Sequence, residues 1–235
     1  MEKCDRLTAK CVMWPVLKQL YQSREPHLGR LGQLGPCVFE PIESFLTRET
    51  LQTGQKHTPT TAGIVVGVGD VHGDFLALLS VLYLMELIDS MGTWVGGDTH
   101  LVLTGDWVDR TGRGSKDTSV NPREEVDIIQ YLWALKADAN VTVCIGNHEL
   151  ATVWLQNHRY RHYREYSNSL QVHGWGGVEN KQSLWSPGGK MALFLAQHCP
   201  LIKQVNSFLF MHGGIPQKAV DKYKSIKNIN KTMYD

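Results

Sequence analysis

The sequence predicts an α/β fold in which a sheet is covered by helices, and two observations predict it. Short apolar runs, partly β-branched, alternate with longer segments of helical character. Each of the main apolar runs is followed by a short polar loop that carries a glycine.

The first run, Gly63-Ile64-Val65-Val66-Gly67-Val68, is apolar at successive positions, as a strand buried on both faces requires. A helix is expected from Asp74 to Ile88, then a strand from His100 to Thr104, a helix from Pro122 to Leu135 and a strand from Val141 to Ile145. A further helix is expected to begin near Glu149 and another to span Lys190 to His198. Phe208 to Met211 reads as one arm of a strand pair turning near Val205-Asn206, and Gln217 to Ile226 as a polar helix. Residues 1–60 hold apolar positions without a clear period, glycine and proline at 29, 32, 35, 36 and 41, and a polar tract from Gln52. They are expected to be an N-terminal extension and linker, and residues 61–235 a single domain.

The chain has 235 residues, 42% of them hydrophobic, enough to bury a core. Lys plus Arg number 24 against 23 for Asp plus Glu, so no strong field exists to hold a polyanion, and nucleic acid is not expected as a partner. Phe75 to Ile88, the most apolar stretch, falls short of the roughly 20 residues that cross a bilayer, so no membrane is expected. The start, Met1-Glu2-Lys3-Cys4-Asp5, mixes acids and bases and has no signal-peptide character. The 5 cysteines are scattered without CxxC spacing, which points away from a disulfide framework or thiolate zinc site and toward a reducing, cytoplasmic setting.

Four polar motifs follow the expected strands: Gly69-Asp70-Val71-His72-Gly73, Gly105-Asp106-Trp107-Val108-Asp109-Arg110, Gly146-Asn147-His148-Glu149 and His212-Gly213-Gly214. Any one of them alone is a common turn or helix cap. Four in order, each after a strand, would meet at one sheet edge, where open α/β sheets bind ligands. Asp70 and His72 lie two apart in an extended segment and so point to one side. With Asp106, Asn147 and His212 they make a carboxylate, imidazole and amide donor set without thiolate, which suits Mn, Fe or Zn better than calcium or a structural zinc.

These motifs, GDxHG, GDxxDR, GNHE and HGG, resemble the signature of calcineurin-like metallophosphoesterases, in the phosphoprotein phosphatase branch, from about Gly67 to Pro216. Leu87-Ile88-Asp89, Trp94-Val95-Gly96-Gly97-Asp98, Leu101-Val102 and Ser186-Pro187-Gly188-Gly189 are similar to the Shewanella-like protein phosphatases. The resemblance implies a sandwich of two mixed β-sheets flanked by helices and a metal-dependent hydrolase of phosphate monoesters, phosphorylated protein or a small phosphomonoester. It implies two divalent ions, one held by Asp70, His72 and Asp106 and the other by Asp106, Asn147 and His212, with a bridging hydroxide attacking phosphorus. His148 would protonate the leaving oxygen with Asp109 orienting it, Arg110 would grip the phosphate, and Asn147 and His148 would also face the substrate.

The chain departs from that pattern in places. Residues 213–235 contain no histidine, whereas the family takes a further ligand, and the last strands of its sheets, from beyond HGG. The chain is accordingly expected to be C-terminally incomplete, or a natural short form; among the other histidines, His173 is the candidate substitute. Thr111 replaces the glycine after Asp-Arg, Gly112 to Asn121 forms a polar loop, and Ile145 stands where the eukaryotic Ser/Thr enzymes have arginine. The run His158-Arg-Tyr-Arg-His-Tyr-Arg164 reads as an exposed helix face. Two other functions fit the same motifs: hydrolysis of nucleotides or phosphodiesters, and a catalytically impaired domain that binds phosphorylated ligands. The sequence leaves the oligomeric state open.

Overall fold

A computed structural model of the chain describes residues 41–51, 61–109, 123–155 and 173–232. In chain order the elements are helix α1 (Ile42–Leu51), strand β1 (Val65–Val68), α2 (Phe75–Leu84), β2 (His100–Leu103), α3 (Glu124–Leu135), β3 (Asn140–Val143) and α4 (Asn147–Leu155). A 3-10 turn (His173–Trp175), α5 (Val178–Trp185), α6 (Lys190–His198), β4 (Ile202–Val205), β5 (Phe208–Met211), α7 (Gln217–Tyr223) and α8 (Ile226–Lys231) follow.

Strands β1, β2 and β3 lie side by side in that order, all parallel, with Val65 opposite His100 and His100 opposite Asn140. Right-handed crossovers stepping the same way put α2 and α3 on one face, where Phe75 and Tyr131 meet edge to face at 5.5 Å. The period of two sends Val66, Val68, Leu101, Leu103, Val141 and Val143 to the helical side, in one core with Leu78, Leu82, Ile129 and Leu132. Each such side chain, fully buried, contributes about 1.5–3 kcal/mol. Val102 and Cys144 turn the other way and pack with Val205 and Phe210 of the antiparallel β4–β5 ribbon. Both faces of the parallel sheet are thus covered, which is why its strands read as continuous apolar runs. The expected two-sheet sandwich between helices is present. Among the described residues one sheet is wholly parallel and the other wholly antiparallel.

The ribbon turns through Asn206, whose φ of 53° suits the primed geometry of a two-residue hairpin loop. Its side-chain amide both accepts from Ala62 N (3.0 Å) and donates to Ala62 O (2.9 Å), tying the turn to the approach of β1.

Two helices end earlier than the pattern predicts. At the end of α2, Glu86 takes φ 58°, Glu86 N donates to Tyr83 O and Leu87 N to Leu82 O, a Schellman stop without the usual glycine. The reversal returns Leu87 and Ile88 to the core and pairs Ile88 with Trp94. The expected Gln217–Ile226 helix breaks at Lys224, φ 64°, and restarts as α8 under a Ser225 cap. Of residues 1–60 only 41–51 fall within the described residues; α1 there packs on α6, with Phe45 and Phe194 rings 5.7 Å apart and His198 Nε2 donating to Glu49 O at 2.9 Å. No helix among the described residues is long and apolar enough to cross a membrane.

Candidate metal centre

The carboxyl ends of β1, β2 and β3 deliver Asp70 and His72, Asp106 and Asp109, and Asn147 and His148 to one edge, and the end of β5 delivers His212. Backbone bonds stitch the first two loops together: Val71 N and His72 N both donate to Asp106 O (3.0 and 2.9 Å), and Gly73 N donates to Trp107 O (2.9 Å). His72, Asp106 and Asp109 all sit in the left-handed region, at φ 49°, 53° and 65°. Non-glycine residues hold that conformation at a cost of about 1–3 kcal/mol each, so the surrounding bonds must impose it. The second and third loops touch through two glycines. A Cβ on Gly105 would collide with the backbone of Gly146, and a Cβ on Gly146 with Asp106 itself.

Asp106 is at the centre of the cluster and 2% exposed. Its Oδ1 accepts from His148 N at 2.9 Å, while Oδ2 faces three imidazole nitrogens: His212 Nε2 at 3.2 Å, His148 Nε2 at 3.8 Å and His72 Nε2 at 3.9 Å. Asp70 Oδ2 lies 3.5 Å from His72 Nε2 and its Oδ1 3.7 Å from His212 Nδ1, and His212 Nε2 lies 2.8 Å from Asn147 Oδ1. Two triads, His72 with Asp106 and His148 and Asp70 with Asp106 and His212, each hold their ligand atoms within 4.8 Å of one another. Asp106 is common to both, as the resemblance implies, but the triads place Asp70 with His212 and His148 with His72.

The donor set fits divalent cations on chemical grounds. His72 Nδ1 lies 3.2 Å from Val108 O, which can only accept, so this nitrogen donates and Nε2 is the one that faces the Asp70 and Asp106 carboxylates. Ring nitrogens and carboxylate oxygens converging on one point make a donor set that a divalent cation can occupy, and a carbonyl-anchored histidine is the usual support of a metal ligand.

His148 Nδ1 meets Asp109 Oδ2 at 3.1 Å. That bond raises the imidazole pKa above its ordinary value, with the neighbouring Asp106 acting in the same direction and burial opposing it. The pairing favours the protonated form of the His148 ring.

Glu149, assigned no role from the sequence, is fully buried under all of this. Oε1 accepts from Trp107 N (2.9 Å) and Val108 N (3.1 Å), and Oε2 from Asp106 N (2.9 Å) and Gly146 N (2.7 Å). Burial pushes its carboxyl up to about 7 while the amides pull it down. Each oxygen already takes two N–H groups, so the loops are built around the carboxylate form. The bond to Gly146 N is half of a capping box at the start of α4, and a glutamate three residues after the cap was the sequence signal for it.

Arg110, Thr111, the loop Gly112–Asn121, the run His158–Arg164 and the His173 side chain lie outside the described residues. Cys144 is buried against the ribbon, which pushes its thiol up to about 12 and leaves it a small core residue.

A family model described as calcineurin-like phosphoesterase matches residues 64–235. Shewanella-like protein phosphatase 2 of Arabidopsis thaliana is 31% identical over 121 residues, 49% of this chain and 27% of that protein. Shewanella-like protein phosphatase 1 of Plasmodium berghei is 27% identical over 161 residues, 65% of this chain and 39% of that protein. The solved cold-active protein-tyrosine phosphatase of a psychrophilic Shewanella species superposes with a TM-score of 0.52 at 28% identity, covering 74% of this chain and 50% of that one. The chain spans half or less of the length of these relatives.

Proposed function

The chain belongs to the calcineurin-like phosphoesterase family, and from that premise we propose that it is a metal-dependent phosphatase hydrolysing phosphate monoesters, with phosphorylated protein or small phosphomonoesters as substrates. The observation that carries this reading is the Asp106 carboxylate, whose Oδ2 is faced by three imidazoles from three loops beside a paired His148 and Asp109. Relatives named as protein phosphatases, a protein-tyrosine phosphatase among them, support phosphoprotein as the substrate class.

In this reading Asp70, His72 and Asp106 hold one divalent ion and Asp106, Asn147 and His212 the other, with Mn, Fe or Zn suited to the donors. When bound, such ions supply Lewis acidity at phosphorus and acidify a water for the attack. His148 gives its Nε2 proton to the departing oxygen while Asp109, on Nδ1, stabilises the imidazolium and fixes the ring. Asn147 and His148 also face the substrate, and Arg110, which follows Asp109 in the motif, takes the non-bridging phosphate oxygens through its planar fork. The setting proposed is cytoplasmic, in keeping with the free thiols of Cys144 and Cys199.

The test is phosphate release from an aryl phosphate by the metal-stripped chain, with Mn, Zn, Fe or Mg added in turn and Asp106→Asn alongside. Turnover restored by metal and lost in the variant is expected. A folded chain inert with every metal, or turnover indifferent to Asp106→Asn, would overturn the proposal.

A further inference from the structure

Beneath the His148–Asp109 pair lies a buried ion pair that the chemistry above does not use. Glu125, in the first turn of α3, is 2% exposed, and Lys181 of α5 is 8% exposed. Lys181 Nζ donates to Glu125 Oε2 at 3.0 Å, and Trp175 Nε1 donates to the same oxygen at 2.8 Å. The other oxygen, Oε1, accepts from the backbone N–H of Asp109 at 2.9 Å. A buried ion pair is a poor source of stability by itself, since desolvation consumes most of its attraction. Its place here is explained by what its other oxygen, Oε1, holds.

Asp109 stands at φ 65°, in left-handed backbone that aspartate visits more readily than most residues but still at a cost. In that conformation its N–H reaches Glu125 while its carboxylate reaches His148. We propose that Glu125 is a positioning residue for the acid: it pins the Asp109 backbone so that the Asp109 carboxylate meets His148, and the 173–185 segment locks Glu125 through Lys181 and Trp175. The segment is itself fixed under the second loop by Trp185, whose ring lies 5.3 Å from that of Trp175 and 6.1 Å from that of Trp107. All three indoles are fully buried. The proposal rests on the reading of His148 as the proton donor.

Glu125→Gln tests it. Among the described residues the carboxylate serves three donors, and a glutamine offers one oxygen. Lys181 and Trp175 together claim that oxygen, which turns the amide NH2 toward the Asp109 N–H and releases it. A misplaced acid slows departure of a basic leaving group far more than of an acidic one. Turnover of phosphoserine is therefore expected to fall about 10-fold or more, within the range that a general acid supplies. Turnover of p-nitrophenyl phosphate is expected to change little, and KM to stay near wild type for both. Asp109→Asn should show the same pattern, and the double variant should lose no more than Asp109→Asn alone. Tyr131→Phe, on the same helix, removes a bond to Gly92 O (2.7 Å) and serves as the structural control, lowering the melting temperature without discriminating between leaving groups.

Amide hydrogen exchange at Asp109 gives a readout that needs no turnover: slow in the wild type, fast in Glu125→Gln. Equal loss on both substrates, or unchanged exchange at Asp109, would overturn the proposal. A wild-type chain inert toward both substrates would overturn the proposed function instead, and the exchange would then decide the anchor by itself.

Discussion

Replacing Glu149 by glutamine removes the group that gathers the amides of two metal-binding loops onto one carboxylate. Four N–H groups, from Asp106, Trp107, Val108 and Gly146, share its two oxygens at 2.7 to 3.1 Å, in a site with no access to solvent. Glutamine has one oxygen, so either orientation sets an NH2 group against two of those amides. A buried donor left without a partner costs about 1–3 kcal/mol, so two of them cost about 2–6 kcal/mol, and relief from burying a charge offsets the upper part of that range. A net loss of about 2–4 kcal/mol is expected, measured by urea unfolding at pH 8, above the value near 7 to which burial pushes the carboxyl. Because Asp106 and Gly146 then drift apart, metal-dependent turnover should fall at least about 100-fold even where the variant remains folded, since ligand alignment is what the amides enforce. A glutamine variant as stable as the wild type, with turnover intact, would refute the argument that the loops are assembled around an anion.

Three further outcomes are expected. Gly146→Ala places a methyl group against Asp106 Oδ1 and Asp106 N, so it should weaken metal binding, read by calorimetry, with turnover lost in parallel. Asp109→Asn replaces the carboxylate that raises the His148 pKa by a neutral amide, so the protonated acid persists over a narrower range and the alkaline limb of the pH–kcat profile should move to lower pH. Burial and Lys203 lower the His100 pKa from 6.5 to about 4, so the unfolded chain takes up its proton first as pH falls. The stability present above 6.5 is lost on the way down to 4, on the order of 2 kcal/mol between pH 7 and 5, and denaturant titrations should show a smaller loss in His100→Asn.

The central sheet was legible because burial on both faces writes strands as unbroken apolar runs: β1 and β2 fall within the runs that announced them, and β3 begins one residue ahead of its run, at Asn140. Helix ends were less so. The stop after α2 depends on Glu86 in a left-handed conformation that a glycine would have signalled, and the extra apolar residues Leu87 and Ile88 extended the pattern past it. Helix α1 has inward residues at Ile42, Phe45 and Leu46, a single turn of the right spacing among polar neighbours. Helix α5 buries Lys181, Leu184 and Trp185, and a lysine facing inward breaks any apolar period. Its burial makes sense only once Glu125, remote in sequence, is placed beside it.

The candidate site divides the same way. The residues gathered there were legible because strand ends must bring them together, whatever the loops do. What holds them was not, since the groups that Glu149 gathers, and the one through which Glu125 holds Asp109, are backbone N–H groups, identical at every residue and silent in a sequence. The strain pattern shows why such supports are needed. His72, Asp106 and Asp109 occupy left-handed backbone where glycine would be comfortable, yet each must keep a side chain to serve the site. Glycine at Gly105 and Gly146 admits the close approach, three N–H groups of the first loop grip the carbonyls of Asp106 and Trp107, and Glu149 and Glu125 take the amides on the other side. A conformation opposed by local sterics persists only when enough independent bonds demand it. Loss of one glutamate should therefore damage the chemistry before it damages the fold.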